Sequence, residues 1–147
     1  MKYNTDNIGY LLNKASKTVR WHLNRKLEEH NLTSSQWAVL KDLHMNESFG
    51  SIQNATPASI ADRLNMDRPT MSGIITRLLR NGWIETEKNL EDKRSQIIKL
   101  TDKTREAVRD FEKISDLIIT QAMKGFTDTD IENFKGYLTK IITNLDI

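Results

Sequence analysis

Between Ile8 and Leu27 the apolar residues Ile8, Leu12, Ala15, Val19, Leu23 and Leu27 recur at three- and four-residue steps, the spacing that lines one face of an α-helix. A second helix is predicted in "LTSSQWAVLKDLHM", where Thr33 and Gln36 stand as a T-x-x-Q capping box ahead of Trp37, Leu40, Leu43 and His44. The polar stretch "NESFGSIQNA", residues 46–55, reads as a loop. Thr56 then precedes Pro57 as an N-cap before a first-turn proline, opening a short helix with Ile60, Ala61 and Leu64 as its apolar face. A fourth helix begins after Asp67 and stops at Asn81-Gly82, a glycine C-terminal signal.

Trp83–Glu87 and Ser95–Leu100 alternate apolar and polar residues around the charged stretch "KNLEDKR", the pattern of two strands joined in a hairpin. Thr101 opens a long helix carrying Val108, Phe111, Ile114, Ile118 and Ala122. A break at Gly125 leads to a last helix with Ile131, Phe134, Leu138, Ile141 and Leu145, a heptad-like seam suited to pairing with another helix. The expected fold is therefore mainly α with a small β-hairpin wing. A winged helix-turn-helix over residues 33–100 is flanked by helical regions 1–32 and 101–147. A chain of 147 residues is long enough for one domain with a real core.

The fourth helix, "DRPTMSGIITRLLRNGW", carries a glycine near its middle, where glycine costs about 1 kcal/mol relative to alanine. At about 100° per residue, Met71, Ile74, Ile75, Leu78 and Leu79 share one sector, expected to face the core. Gly73 falls opposite, surrounded by Pro69, Thr70, Thr76, Arg77 and Arg80. Close packing of helices is the commonest use of a helical glycine, but an outward glycine among Thr, Arg and Pro leaves room for a bulky partner at the backbone. The floor of a DNA major groove is such a partner. Asp67 and Pro69 place the amide end of this helix where it can meet a phosphate.

Charge sharpens this picture. Net charge is only +2, so a nucleic-acid surface has to come from local clustering. From Arg68 to Lys99 there are seven basic and four acidic residues, +3 in that segment alone. At the hairpin tip, Lys88, Asp92, Lys93 and Arg94 fit either a solvated turn or a device in which Asp92 steers Arg94 into the narrow minor groove.

Other chemistries find little footing. The chain has no cysteine, which excludes disulfides and zinc–thiolate sites and suits the cytoplasm. The polar start "MKYNTDNIGY" lacks the apolar core of a signal peptide, and no apolar run approaches a membrane span. His22, His30 and His44 form no ligand spacing, so no metal and no cofactor are expected. No nucleophile motif or glycine-rich phosphate loop is present, so the chain is not expected to be an enzyme.

The string "TPASIADRLNMDRPTMSGIITRLLRNGWIETEKNLEDKRSQIIKLT", with "LTSSQWAVL" upstream and the Asp92–Arg94 D-x-R wing, closely resembles the winged helix-turn-helix of the MarR family of bacterial transcriptional regulators. Its most specific part is R-L-x-x-x-G-W followed by E-D-K-R and K-L-T. The resemblance implies a homodimer interlocked through the first and last two helices. Its two winged helices would read successive major grooves of a pseudo-palindromic operator in double-stranded DNA, as a repressor. It implies that Arg68, Thr70, Ser72, Gly73 and Arg77 approach bases and phosphates, that Thr56 and Ser59 hold the backbone, and that Arg94 enters the minor groove. It also implies release by a small, aromatic, anionic effector, for which Arg20, Trp21 and Trp37 are the candidate wall. Trp37 sits within an apolar helical face and suits a core anchor better.

Two features depart from the family pattern. Glu85 and Glu87 occupy strand positions that are often basic, and the 46–55 loop is long. Glu85 and Glu87 leave room for two alternatives: a winged-helix module that binds another protein, or an anti-repressor or ligand-binding scaffold that does not bind DNA.

Overall fold

The computed structural model describes residues 5–50 and 55–146. Its elements run α1 (Ile8–Leu27), α2 (Ser34–Ser48), α3 (Pro57–Leu64), α4 (Arg68–Arg80), β1 (Ile84–Lys88), β2 (Gln96–Leu100), α5 (Asp102–Ala122) and α6 (Asp128–Leu145), with a short 3-10 turn at Glu28–His30. The fold is mainly helical with one antiparallel hairpin, Ile84 pairing with Leu100 and Lys88 with Gln96.

Local chemistry sets the helix starts. Thr33 Oγ1 accepts from the Gln36 N–H (3.1 Å) and Gln36 Oε1 accepts from the Thr33 N–H (3.0 Å), completing the capping box. Asn24 reaches from α1 to accept the Ser34 N–H at 2.6 Å, tying α1 to the start of α2. Thr56 caps α3 through the Ser59 N–H, and Asp67 caps α4 through the Thr70 N–H. Asn31 and Asn65 adopt positive φ at the ends of the 3-10 turn and α3, a conformation asparagine tolerates better than most residues.

Three local expectations shift. Helix α2 continues to Ser48, three residues into the expected loop. Asn46 donates back to Asp42 (3.2 Å) and the Ser48 hydroxyl to the His44 carbonyl (2.9 Å), so these polar side chains are satisfied along the helix. The rest of that loop, residues 51–54, lies outside the described residues. Strand β1 begins and ends one residue later than expected, with the Trp83 side chain turned into the core, and β2 is one residue shorter, starting at Gln96. Leu79, expected in the core sector, is 40% exposed, since the buried face of α4 is the narrower set Met71, Ile74, Ile75 and Leu78.

The core forms where α2, α3, α4, the hairpin and the first half of α5 meet. Phe111 is its centre, with His30, Trp37 and Trp83 each presenting an edge-to-face contact at ring separations of 5.3–5.6 Å, a favoured aromatic geometry. The hairpin is anchored by Thr104, whose hydroxyl donates to the Trp83 carbonyl (2.6 Å), and by the Thr101 hydroxyl on the Gly82 carbonyl (2.8 Å). Ala55 adds one strand-like bond, its carbonyl accepting from the Ile98 N–H (2.8 Å).

The long helices behave differently. The apolar stripe of α1 buries only Leu27, with Val19 and Leu23 half-buried and Ile8 and Leu12 exposed. Helix α6, started by a Thr127–Asp130 capping box, buries no residue. Leu117, Ile119, Phe134, Ile142 and Leu145 are exposed as well. No helix among the described residues is long and apolar enough to cross a membrane.

Candidate nucleic-acid interface

Asp67 and Pro69 start α4, and burial of Met71, Ile74, Ile75 and Leu78 fixes its rotation. That rotation leaves Arg68, Pro69, Thr70, Ser72, Thr76, Arg77 and Arg80 exposed. The Asp67 carboxylate accepts the Thr70 N–H at 2.7 Å, which holds its pKa below the usual carboxylate range. Thr76 returns its hydroxyl to the Ser72 carbonyl (2.9 Å), so its methyl and lone pairs are what it presents outward. Gly73 is half-buried, and a Cβ built there meets nothing within 4 Å. Its bareness is therefore not demanded by packing within the chain.

Gly73 also stands on the rim of a cleft of about 750 Å³ between α4 and α1. Pro69, Thr70, Gly73 and Arg77 form one wall; Arg20, Trp21, Asn24 and Arg25 form the other. The Arg25 guanidinium lies over the Trp21 ring, 4.9 Å from its centroid. The expected effector wall is thus divided. Arg20 and Trp21 line the cleft, whereas Trp37 is 3% exposed against Phe111 and does not.

Three cations in and beside the reading head are held in ion pairs. Arg63 grips Asp42 through two bonds of 2.8 and 2.9 Å, Arg105 grips Glu47 through two of 2.9 and 3.1 Å, and Lys99 pairs with Glu87 at 2.7 Å. These link elements to each other. Arg68, Arg77, Arg80, Lys88 and Lys93 make no ion pair among the described residues. These five lie on the outer side of α4 and on the hairpin; Lys41 on α2 and several lysines and arginines of the long helices also lack an ion pair among the described residues.

At the hairpin tip, Asn89 Oδ1 accepts the N–H groups of Glu91 and Asp92, and its amide donates to Ser95 Oγ. Asp92 Oδ1 accepts the Arg94 N–H and Nε–H. The Arg94 side chain is 93% exposed, its terminal nitrogens without a partner among the described residues. Glu87, one of the two unusual acids, is neutralised by Lys99, and Glu85 lies opposite Lys99 in the ladder. Thr56 and Ser59 are half-buried at the start of α3, with their hydroxyls bonded to each other at 2.9 Å.

Asn89 was not singled out by sequence reasoning, although an Asn at a turn start is a known organiser of the following amides. The Arg63–Asp42 and Arg105–Glu47 pairs, which position α3 and α5, had no local signal at all. No group of three His, Asp or Glu able to hold a metal occurs among the described residues.

The MarR family sequence profile matches residues 32–96. The uncharacterised HTH-type transcriptional regulator YwoH of Bacillus subtilis (strain 168) is 31% identical over 137 residues, covering 91% of this chain and 93% of YwoH. The uncharacterised regulator YkoM of the same organism is 30% identical over 134 residues, covering 91% of this chain and 83% of YkoM. Among solved structures, the S. aureus MepR–DNA complex aligns with a TM-score of 0.83 and 26% identity, covering 93% of this chain and 97% of that one. The MarR protein of Peptoclostridium difficile DA00132 aligns at 0.86 with 22% identity, covering 99% and 92%, and shows the shared fold. With relatives matched over nearly their whole length and the profile centred on the winged helix, the chain belongs to the MarR family of transcriptional regulators.

Proposed function

We propose that this regulator works as a homodimer that binds pseudo-palindromic double-stranded DNA, with α4 in the major groove and the hairpin tip in the adjacent minor groove. The observation that carries this reading is the set of exposed cations on α4 and the wing. Arg68, Arg77, Arg80, Lys88 and Lys93 have no ion-pair partner among the described residues and Arg94 keeps a side chain that is 93% exposed, while Arg63 and Lys99 are engaged. Arg68, Ser72, Thr76, Arg77 and Arg80 then face base edges and phosphates, Thr70 and Gly73 allow close approach, and Thr56 and Ser59 steady the flanking backbone. Lys88, Lys93 and Arg94 serve the minor groove, with Asp92 as the brace. Likeness to the MepR–DNA complex supports the same docking.

The dimer is assigned to 1–32 and 101–147, on either side of the 33–100 reading region in one 147-residue domain. The support is apolar surface that one chain leaves uncovered: Ile8, Leu11 and Leu12 on α1, Leu117 on α5, and Phe134, Ile142 and Leu145 on α6. A two-fold axis there would hold two α4 helices about one DNA turn apart, roughly 10–10.5 bp.

Repression is relieved, in this reading, by a small aromatic anion held between α1 and α4. Arg20 and Arg25 supply charge, and Trp21 supplies an aromatic face. A ligand that binds one spacing of the reading heads better than another shifts the dimer toward it, by no more than that difference in affinity. The test is a mobility-shift assay on the DNA upstream of the protein's own gene, repeated with a panel of aromatic acids. A shift reversed by one acid supports both parts; no shift on any duplex contradicts the first.

A further inference from the structure

The hairpin tip carries one apolar side chain, and the fold makes no use of it. Leu90 is 90% exposed, more than any other large hydrophobic residue among those described. It does not hold the tip together, because polar groups already do so. Asn89 accepts from two amides and donates to Ser95, and Asp92 accepts from Arg94 and, through its carbonyl, from the Ser95 N–H at 3.2 Å. The result is a hydrogen-bonded polar loop with an exposed leucine at its end.

We infer that Leu90 is an apolar wedge that enters the minor groove beside Arg94 and makes affinity depend on how easily the base step beneath it deforms. This rests on the duplex-binding reading and extends it to a residue that carries no charge.

Three observations favour a narrow groove over a protein surface as its partner. Leu90 stands alone: its neighbours in the tip are Asn89, Glu91, Lys88 and Lys93, and Ile97 behind it is half-buried. A single side chain does not make the contiguous apolar patch, on the order of a few hundred Å², that marks a protein-docking face. The minor groove is only about 6 Å wide, a slot that a single projecting side chain can fill. Glu91, next to Leu90, has no cation partner among the described residues. A phosphate contact at that point is therefore disfavoured, and sugar and base edges are what the tip can meet. Lys88, Lys93 and Arg94 lie to either side to hold the strands. Leucine is among the side chains that unstack base steps when driven into a minor groove, and pyrimidine–purine steps such as TA yield most readily.

The experiment uses the full chain and a duplex it selects from a random-sequence library, with the step beneath the wing located by hydroxyl-radical protection. That step is set to TA in one duplex and GC in another. Leu90→Ala is expected to weaken binding to the TA duplex about tenfold, the loss of one buried leucine side chain. The loss on the GC duplex should be smaller, so the TA preference shrinks, while Leu90→Met keeps both. Because Leu90 is exposed, thermal midpoints should coincide across the variants. Unchanged affinity and step preference in Leu90→Ala, with Arg94→Ala still impaired, would overturn the wedge and leave the duplex reading standing. An equal loss on both duplexes would overturn the dependence on the base step. If Arg94→Ala and Gly73→Glu also bind normally, the docking of α4 and the wing on the duplex itself fails.

Discussion

Asp92 Oδ1 accepts both the backbone N–H and the Nε–H of Arg94, at 3.0 and 3.3 Å. One carboxylate oxygen thus fixes the residue's backbone and the stem of its guanidinium, while the terminal nitrogens stay in solvent. A long flexible side chain loses about 0.5–1.5 kcal/mol when immobilised at an interface, and a brace that orders it beforehand reduces that cost. Arg94→Ala should weaken operator binding by about 10- to 100-fold, the range of a lost groove contact. Asp92→Ala, which leaves the charge but frees the arm, should cost roughly 3- to 10-fold. Equal affinities for wild type and Arg94→Ala in a titration would remove Arg94 from the interface.

Gly73 separates stability from binding. Its environment is open and its φ is not positive, so Gly73→Ala should raise stability by about 0.5–1 kcal/mol, the ordinary helix preference. Gly73→Glu should fold, with a thermal midpoint no lower than wild type, yet lose binding, because it places bulk and negative charge against the duplex. Retained binding by Gly73→Glu would mean that this side of α4 does not face DNA.

The two bonds from Arg63 to Asp42 hold α3 on α2, and Asp42 is largely shielded at 12% exposure. The Asp42 pair keeps the Arg63 pKa above its ordinary value. Arg63→Ala leaves Asp42 with Asn46 as its remaining partner and should destabilise the fold by about 1–2 kcal/mol in chemical denaturation. Charge reversal of Asp42 should be worse, since it opposes two cations on adjacent helices.

The pH dependence of α4 follows from its cap. The Asp67 carboxylate has a folded-state pKa depressed below its unfolded value by the Thr70 N–H. Its contribution is therefore complete above the ordinary carboxylate range and is lost as pH falls through the depressed value. The gap in thermal midpoint between wild type and Asp67→Ala should be constant from neutral pH down to that range, then narrow in acid. Asp67→Asn, which keeps an accepting oxygen but does not titrate, should show no such narrowing.

The helices were legible because their signals are local. The apolar spacing of α1 marked both of its ends, and Thr33–Gln36, Thr56–Pro57 and Asp67 marked three starts through bonds spanning three residues. The outward placement of Gly73 followed from helix rotation alone. The end of α2 was not legible, since Asn46 and Ser48 look like loop residues unless their bonds four residues back are seen. Nor was the exposure of Leu79, because an apolar sector read by angle is wider than the strip a neighbouring layer covers. Arg105–Glu47, 58 residues apart, and the α1–α4 cleft arise from tertiary approach, which spacing does not encode. The α1 stripe is apolar as its spacing predicts, but its N-terminal residues Ile8 and Leu12 meet no core of their own chain.

Whether α4 and the wing grip a duplex is tested most directly by equilibrium binding of the full chain to its selected duplex over a range of salt concentrations. Each phosphate neutralised by Arg68, Arg77, Arg80, Lys88, Lys93 or Arg94 should contribute a slope of about −0.9 to log K against log salt. A steep fall that becomes shallower by about one such step per removed lysine or arginine per subunit is the predicted result. A salt response that is flat, or that is unchanged when those cations are removed, would contradict it.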